Sequence, residues 1–505
     1  MVDGLHGNDI GMVLMSQEIV VPKIIPNWVN GKEVTTTDKK LFNKINPHNG
    51  KVIASVVRSN AIDVCNTIAA AEISQKSWAI LSPPRRGEIL RDIALGLQTN
   101  RDRIARIVAL ETGKSLKDAL GETDGAIALG FFMAGEGQRM YGKTTTSSVE
   151  NRHVMIVREP IGIAGLIIAA NTPIANIAWK VFPALICGNS AVLKASEDTP
   201  ITAWYFGLIA HQTGLPPGVL NIIQGYGEEA GEPLVRDTRV GVISFTGSTE
   251  VGKKLAVLAG ERLARLSLEL GGKNPLIVCE DADLENAVQW SILSSFSNAG
   301  QRCASASRII IIESLYEKFR EMLLAKTKLL RIGPNDTDDY GPVINLDQLL
   351  HMINQIENVR LRGGKILTGG YRLMDEDHKN GYYLAPTIIE NVDLEDEVTK
   401  NELFGPITCL YPAKNFQDAI DIANNSNYGL TASIHTLNIN RAMLFSRRVQ
   451  AGVVVINGGT YGSEPHMPFG GFKNSGNGSR EPGTEALDIY SELKDIYINV
   501  YPDSN

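Results

Sequence analysis

Ser190-Ala-Val-Leu-Lys194 is a short apolar run, Leu220-Asn-Ile-Ile-Gln224 is another, and Thr199 to Gly214 between them has helix length and helix character. A strand, a covering helix and a second strand in so short a span form the unit of a parallel sheet. Working outward, Gly165-Leu-Ile-Ile-Ala169 precedes this passage and Val242-Ile-Ser-Phe245 follows it, with a further helical stretch at Gly227 to Asp237. The runs are continuously apolar rather than alternating, which predicts strands buried on both faces. The fold class is therefore α/β, a Rossmann-like parallel sheet of the kind that binds dinucleotides at its carboxyl edge.

The rest of the chain extends that pattern. Arg58 to Gly142 reads as mostly helical, with apolar residues at helix spacing over Asp63 to Trp78 and Arg85 to Leu110. After Gly271 the alternation restarts: strand-like Pro275 to Val278, Arg308 to Ile312 and Ile407 to Tyr411 are interleaved with helices such as Leu315 to Lys328. That predicts a second α/β domain, in keeping with a chain of 505 residues, too long for one core. Two pieces with period-two character stand outside the scheme, His153-Val-Met-Ile-Val157 and Asp495-Ile-Tyr-Ile-Asn-Val-Tyr501, and are expected to pair across an edge.

Composition narrows the function. A net charge of -7 argues against nucleic acid or an anionic membrane as main partner. Cys65, Cys187, Cys279, Cys303 and Cys409 are scattered without any Cys-x-x-Cys pair, which fits a reducing compartment and argues against a disulfide framework. Neither these cysteines nor the eight histidines show metal-ligand spacing, so no metal is expected. Residues 1–20 carry no basic leader, and the apolar run Ile161 to Ala170 is about half the length of a membrane span. The cytoplasm is the expected location.

Two blocks carry chemistry. Asn298-Ala-Gly-Gln-Arg-Cys-Ala-Ser-Ala-Ser307 sets Cys303 among small and polar residues, and Leu268-Glu-Leu-Gly-Gly-Lys-Asn-Pro275 sets Glu269 beside two glycines. A thiol and a carboxylate converging on one substrate suffice for covalent attack followed by hydrolysis. Taken alone, the pair also fits a buried free thiol and a surface carboxylate. The turn Phe245-Thr-Gly-Ser-Thr-Glu-Val-Gly252 ends a strand and opens a helix, so Gly247 and Ser248 could bring backbone amides to an anionic group. Lys194-Ala-Ser-Glu197 ends another strand, where Lys194 and Glu197 could bond sugar hydroxyls. The glycine-rich loop Phe469 to Gly478 fits either close approach to a ligand or plain flexibility.

Read together, Asn171-Thr-Pro, Lys194-Ala-Ser-Glu, Phe245-Thr-Gly-Ser, Glu269-Leu-Gly-Gly-Lys, Gly300-Gln-Arg-Cys, Glu402-Leu-Phe-Gly-Pro and Pro468-Phe-Gly-Gly resemble the motifs of the aldehyde dehydrogenase superfamily, in that family's order, from about Asn27 onward. The resemblance implies Cys303 as nucleophile, Asn171 as oxyanion donor and Glu269 as the base that hydrolyses the thioester. It implies Lys180 and Glu481 as a pair tied to proton movement. It implies NAD, with NADP disfavoured by the charge of Glu197, held by Lys194, Ser196, Glu197, Gly247, Ser248, Gly271, Glu402 and Phe404. It also implies a dinucleotide-binding domain over 21–141 and 161–268, a catalytic domain over 269–484, an oligomerisation arm over 142–160 and 485–505, and an N-terminal extension over 1–20. Arg265, Arg480 and Glu492 match charges that pair near the family's subunit interface, so a homodimer or homotetramer is expected.

The chain also departs from the family. Ala169-Ala-Asn-Thr-Pro173 lacks two aromatics that many members carry, which implies a wider, more polar channel near Thr172. Ser479 reads as one extra residue before Arg480 and Glu481. Arg302, next to the nucleophile, could hold a distal carboxylate of a semialdehyde, or could pair locally. Tyr461, His466 and Phe469 are expected near the channel mouth. The competing functions are a coenzyme A-acylating relative, against which Glu269 counts, and a non-enzymatic NAD-binding protein, against which the presence of Cys303, Glu269 and Asn171 counts.

Overall fold

The computed structural model describes residues 21–501; the extension expected over 1–20, and residues 502–505 of the expected arm, lie outside the described residues. Ile163–Ile167, Ser190–Lys194, Leu220–Ile223, Val240–Thr246 and Arg265–Glu269 form one parallel sheet, in the spatial order third, second, first, fourth, fifth. The hairpin Asn27–Val29 and Lys32–Val34 adds two antiparallel strands beside the third, making seven. Strand order reverses between the first and fourth strands, and there the loops at the carboxyl ends diverge to leave a crevice.

Local chemistry shifts two expected boundaries. The first strand ends at Ile167, not Ala169, because Pro173 opens the helix Pro173–Ile186 and Ile168 to Thr172 must turn into it. That puts Asn171 in the crevice loop. The single helix expected over Arg85 to Leu110 is two, Pro83–Thr99 and Arg101–Thr112. The break falls at Asn100, whose side-chain amide donates to the Gly96 carbonyl at 2.9 Å and whose Oδ1 accepts from the Tyr205 hydroxyl at 2.8 Å. An asparagine bonded to its own backbone competes with the helix ladder.

The second sheet also has seven strands, in the order Lys365–Thr368, Thr387–Glu390, Ile407–Ala413, Ala306–Ile312, Asn274–Val278, Thr431–His435, Val453–Ile456. Only the first of these runs antiparallel to its neighbour. Its central strands are almost entirely buried, as the aliphatic runs Leu276-Ile-Val278 and Ile309-Ile-Ile311 require. The chain crosses between the sheets in four residues, Leu270 to Lys273, from the carboxyl end of Arg265–Glu269 to the amino end of Asn274–Val278. The open edge of one sheet thus meets the entry edge of the other.

His153–Val157 and the terminal segment do pair. Arg152–Pro160 runs antiparallel to Ser491–Asn499, with Ile156 opposite Asp495 and Val154 opposite Tyr497, and Lys143–Thr146 completes a separate three-stranded sheet.

Candidate active site

Cys303 lies in the loop between the helix Leu284–Phe296 and the strand Ala306–Ile312. The approach to it is strained: Asn298 and Ala299 both sit in the left-handed region at φ 53°. For non-glycine residues each costs about 1–3 kcal/mol, so the surroundings must impose it. They do so through Asp118, whose carboxylate accepts from the Asn298 N–H at 3.2 Å, and through the Asn298 amide, which donates to the Gln301 carbonyl at 3.2 Å. Beyond the thiol, the Asn274 amide donates to the Cys303 carbonyl at 2.7 Å. Burial pushes the thiol up to about 12, and the charges of Glu402 and Glu269 add to the rise.

Asn171 meets this loop from the first sheet, its side-chain amide donating to the Gln301 carbonyl at 3.0 Å. Its own carbonyl accepts from Lys114 Nζ at 2.6 Å and from the Asn298 amide at 3.3 Å. Lys114 is ion-paired to Glu122, and Glu122 in turn accepts from the Ile174 N–H at 2.9 Å, at the head of the helix that Asn171 precedes. Lys114, Asp118 and Glu122 hold the site together and were not foreseen. Nothing local marks them: Lys114 lies just before the helix Leu116–Glu136, and acids on a helix such as Asp118 and Glu122 usually form a solvated face.

Glu269, the last residue of its strand, is only 4% exposed, and neither carboxyl oxygen has a hydrogen-bond partner in the protein. Its pKa is raised well above the carboxylate range by burial and then by the charge of Glu481, with Lys180 and Arg480 pulling the other way. A buried carboxyl left without partners, close enough to a thiol to perturb it, has the form of a poised acid–base group. Behind it, Lys180 Nζ bonds Glu481 Oε2 at 2.9 Å, both side chains fully buried. The pair forms although Ser479 was expected as an extra residue just before it. Arg480, by contrast, does not join Arg265 and Glu492. Those two pair at 2.9 Å, while Arg480 donates to the Ser479 carbonyl at 2.7 Å and lies over the Phe472 ring. Its side chain turns inward toward Glu269.

The cofactor-type residues sit along the same edge. Lys194 Nζ bonds Glu197 Oε2 at 2.8 Å. Burial disfavours the Glu197 charge, but the ammonium outweighs it and the carboxylate stays low. Ser196 Oγ accepts from the Asp198 N–H at 3.3 Å. Ser248 caps the helix Thr249–Gly260, accepting from Val251 N–H at 3.3 Å, and Gly247 N–H donates to the Glu269 carbonyl at 3.1 Å. Glu402 enters from the second sheet, accepting from the Gly272 N–H at 3.0 Å, and burial lifts it to about 7. A Cβ on Gly271 would lie 2.1 Å from Glu402 Oε2, so this carboxyl reaches its place only because residue 271 has no side chain. Phe404 is held with φ 56°, another imposed conformation.

Of the expected substrate residues, Arg302 pairs with Asp118 at 3.0 Å and lies 4.9 Å over the Tyr461 ring, leaving Nε without a partner. Tyr461 stands edge-on to Trp290. The Thr172 hydroxyl accepts from the Asn176 amide at 2.8 Å, and Phe469 is buried against Trp179. His466 is exposed, its nearest ionic neighbour Glu464 at 3.6 Å, and the structure does not bring it against Tyr461 or Arg302. Cys279, Glu280 and Asp281 bring metal-type ligand atoms together, but Arg441 engages both carboxylates.

A strained cysteine loop, a partnerless carboxyl and an amide donor, gathered at the open edge of a nucleotide-binding type of sheet, define a two-sheet α/β enzyme with a cysteine at its centre. The chain belongs to the aldehyde dehydrogenase family, whose model matches residues 34–496. It is 36% identical over 475 residues to an alpha-ketoglutaric semialdehyde dehydrogenase of Bacillus subtilis, covering 94% of this chain and 97% of that one. It is 38% identical over 475 residues to a mitochondrial aldehyde dehydrogenase of Leishmania tarentolae, covering 93% and 94%. Among solved structures, betaine aldehyde dehydrogenase from Staphylococcus aureus in complex with NAD+ superposes with a TM-score of 0.93 at 32% identity, over 95% of each chain. Among the described residues, no helix is long and apolar enough to cross a membrane.

Proposed function

We propose that the chain oxidises an aldehyde to a carboxylic acid with NAD. The observation that carries this reading is the meeting of Cys303, Asn171 and partnerless Glu269 at the seam between the sheets. Burial holds the thiol high, so Cys303, which is partly exposed, gives its proton to solvent and the sulfur attacks the carbonyl as the thiolate. The Asn171 amide and the Cys303 backbone N–H hold the resulting oxyanion. Bound NAD would supply the acceptor for the hydride of the substrate carbon. Glu269 then takes a proton from the water that hydrolyses the thioester. Lys194, Ser196 and Glu197 would hold the adenosine side, Gly247 and Ser248 the pyrophosphate, and Gly271, Glu402 and Phe404 the nicotinamide ribose. The cradle of Gly271 around Glu402 fits that role, and Glu197 at the strand end disfavours a 2′-phosphate.

In this reading residues 21–141 and 161–268 bind the dinucleotide, 269–484 supply the chemistry, and 142–160 with 485–505 form the arm of a homodimer or homotetramer. Exposed Leu493, Tyr497 and Ile498 on the arm support the last point. The free, scattered cysteines fit the cytoplasm. Arg302, with its unpartnered Nε, would steer an anionic end of a semialdehyde, and the Bacillus relative's name agrees with such a substrate. The test is NADH formation by the protein and its Cys303→Ala and Arg302→Ala variants, on neutral aldehydes and on carboxylate-bearing semialdehydes of matched length. Turnover that survives Cys303→Ala would sink the mechanism. An unchanged kcat/KM for anionic substrates in Arg302→Ala would remove the anchor alone.

A further inference from the structure

Glu481 Oε1 accepts from three hydroxyls: Ser244 at 2.7 Å, Tyr490 at 3.1 Å and Ser267 at 3.3 Å. Ser244 and Tyr490 are fully buried and lead nowhere. Ser267, equally buried, also reaches the Ser479 hydroxyl at 3.0 Å, and Ser479 Oγ donates to Asn477 Oδ1 at 2.8 Å. Ser479 is partly exposed and Asn477 exposed. An unbroken line of hydroxyls therefore runs from the buried Lys180–Glu481 pair through Ser267 to the partly exposed Ser479.

The line is held in register with Glu269 itself. Leu268 N–H donates to Asn477 Oδ1 at 3.0 Å and to Ser479 Oγ at 3.3 Å, and the Asn477 amide donates to the Leu266 carbonyl at 2.7 Å. Gly476 bridges Glu269, and Leu270 N–H donates to the Ser475 carbonyl at 3.0 Å. The loop is zipped along the strand that ends in the base.

We propose that Ser267 and Ser479 form the outlet by which the proton taken up by Glu269 during thioester hydrolysis leaves the protein. This rests on the reading of Glu269 as base. The proton passes from Glu269 through a water to Glu481. From Glu481 it goes to Ser267 Oγ, which releases its own hydroxyl proton to Ser479 Oγ. Ser479 releases its proton to solvent. Each hydroxyl gains one proton and loses one, so nothing is consumed and Glu269 returns to its basic form. Ser267 and Ser479 act through Glu481 and Glu269 and touch no reacting atom.

The experiment compares first-turnover NADH formation with steady-state acid release in the full-length enzyme and its Ser479→Ala, Ser267→Ala and Ser479→Thr variants, at increasing imidazole concentration. Expected are an unchanged first turnover and an acid release about tenfold slower in both alanine variants. Imidazole should restore that loss in Ser479→Ala, and threonine, which keeps the hydroxyl, should restore it without imidazole. A purely structural role for Ser479 would slow both phases together and would ignore imidazole. Unchanged acid release, or parallel loss of both phases, overturns the outlet. A parent enzyme that forms no NADH from any aldehyde overturns the proposed function itself, and the outlet with it.

Discussion

Replacing Gly271 by alanine gives a perturbation whose size can be worked from the structure. The new methyl would stand 2.1 Å from Glu402 Oε2 and 2.8 Å from its Cδ, where ordinary contact begins at 3.4 Å. The carboxyl must therefore retreat by about 1.3 Å, the difference between 2.1 and 3.4 Å. The obstacle is the end of a flexible side chain, and Gly271 is not among the glycines held at positive φ, so the fold has no reason to fail. What is lost is the position of Glu402 and its 3.0 Å bond from Gly272. A misplacement of about 1 Å in a positioning group costs up to about a hundredfold in rate, so kcat/KM for NAD should fall roughly 10–100-fold. Steady-state kinetics at varied NAD measure this, with thermal unfolding as the control for folding. An unchanged kcat/KM for NAD in a normally folded Gly271→Ala protein would refute the assignment of Glu402 to the cofactor.

Further outcomes follow from the same geometry. Glu269→Gln should lower acid release by about 10²–10⁴-fold while NADH still appears in a first turnover, as rapid mixing would show. Because the Glu269 pKa is raised in the folded state, its charge is uncompensated there. Stability linked to the protonated form is present at low pH and lost as pH climbs through that raised value, so Glu269→Gln should gain stability over the parent at alkaline pH in denaturant unfolding. Acid release by the parent should rise with pH over that same window, since only the deprotonated carboxyl is a base. Lys180→Met would leave buried Glu481 without its ammonium partner, costing about 3 kcal/mol, the lower end of the range for a broken buried pair, because Ser244, Ser267 and Tyr490 still donate to it. Asp118→Asn should disturb both Arg302 and the Asn298 turn, raising KM and lowering kcat together.

About half of the strands in the two large sheets were legible, because those runs are largely apolar, a pattern that burial on both faces explains, whereas polar Lys32–Val34, Arg265–Glu269 and Lys365–Thr368 were not. The two period-two strands were legible from their alternation, and they do pair, in a register the sequence did not supply, with Val154 opposite Tyr497. What the sequence hid was support. Lys114, Asp118 and Glu122 lie far in sequence from Cys303 and Asn171, and their meaning depends on which carbonyl or N–H the fold brings to them. The break at Asn100 was hidden likewise, since an asparagine inside a helical pattern shows its effect only when its amide turns back on the backbone.

These two kinds of residue divide the site by physical role. Cys303, Glu269 and Asn171 are recognisable because their chemistry admits few substitutes. The residues that aim them are chosen by geometry, and many side chains can cap a helix or brace a loop. Strain marks the division. Asn298 and Ala299 adopt a conformation their own side chains do not favour, and only Asp118, Gln301 and Asn171, drawn from three separate segments, keep them there. The free energy that aims the thiol is thus supplied partly from within its own loop, by Gln301, and partly from the first half, by Asp118 on the helix Leu116–Glu136 and by Asn171. The nucleophile is assembled only when both halves have folded and met at Leu270 to Lys273.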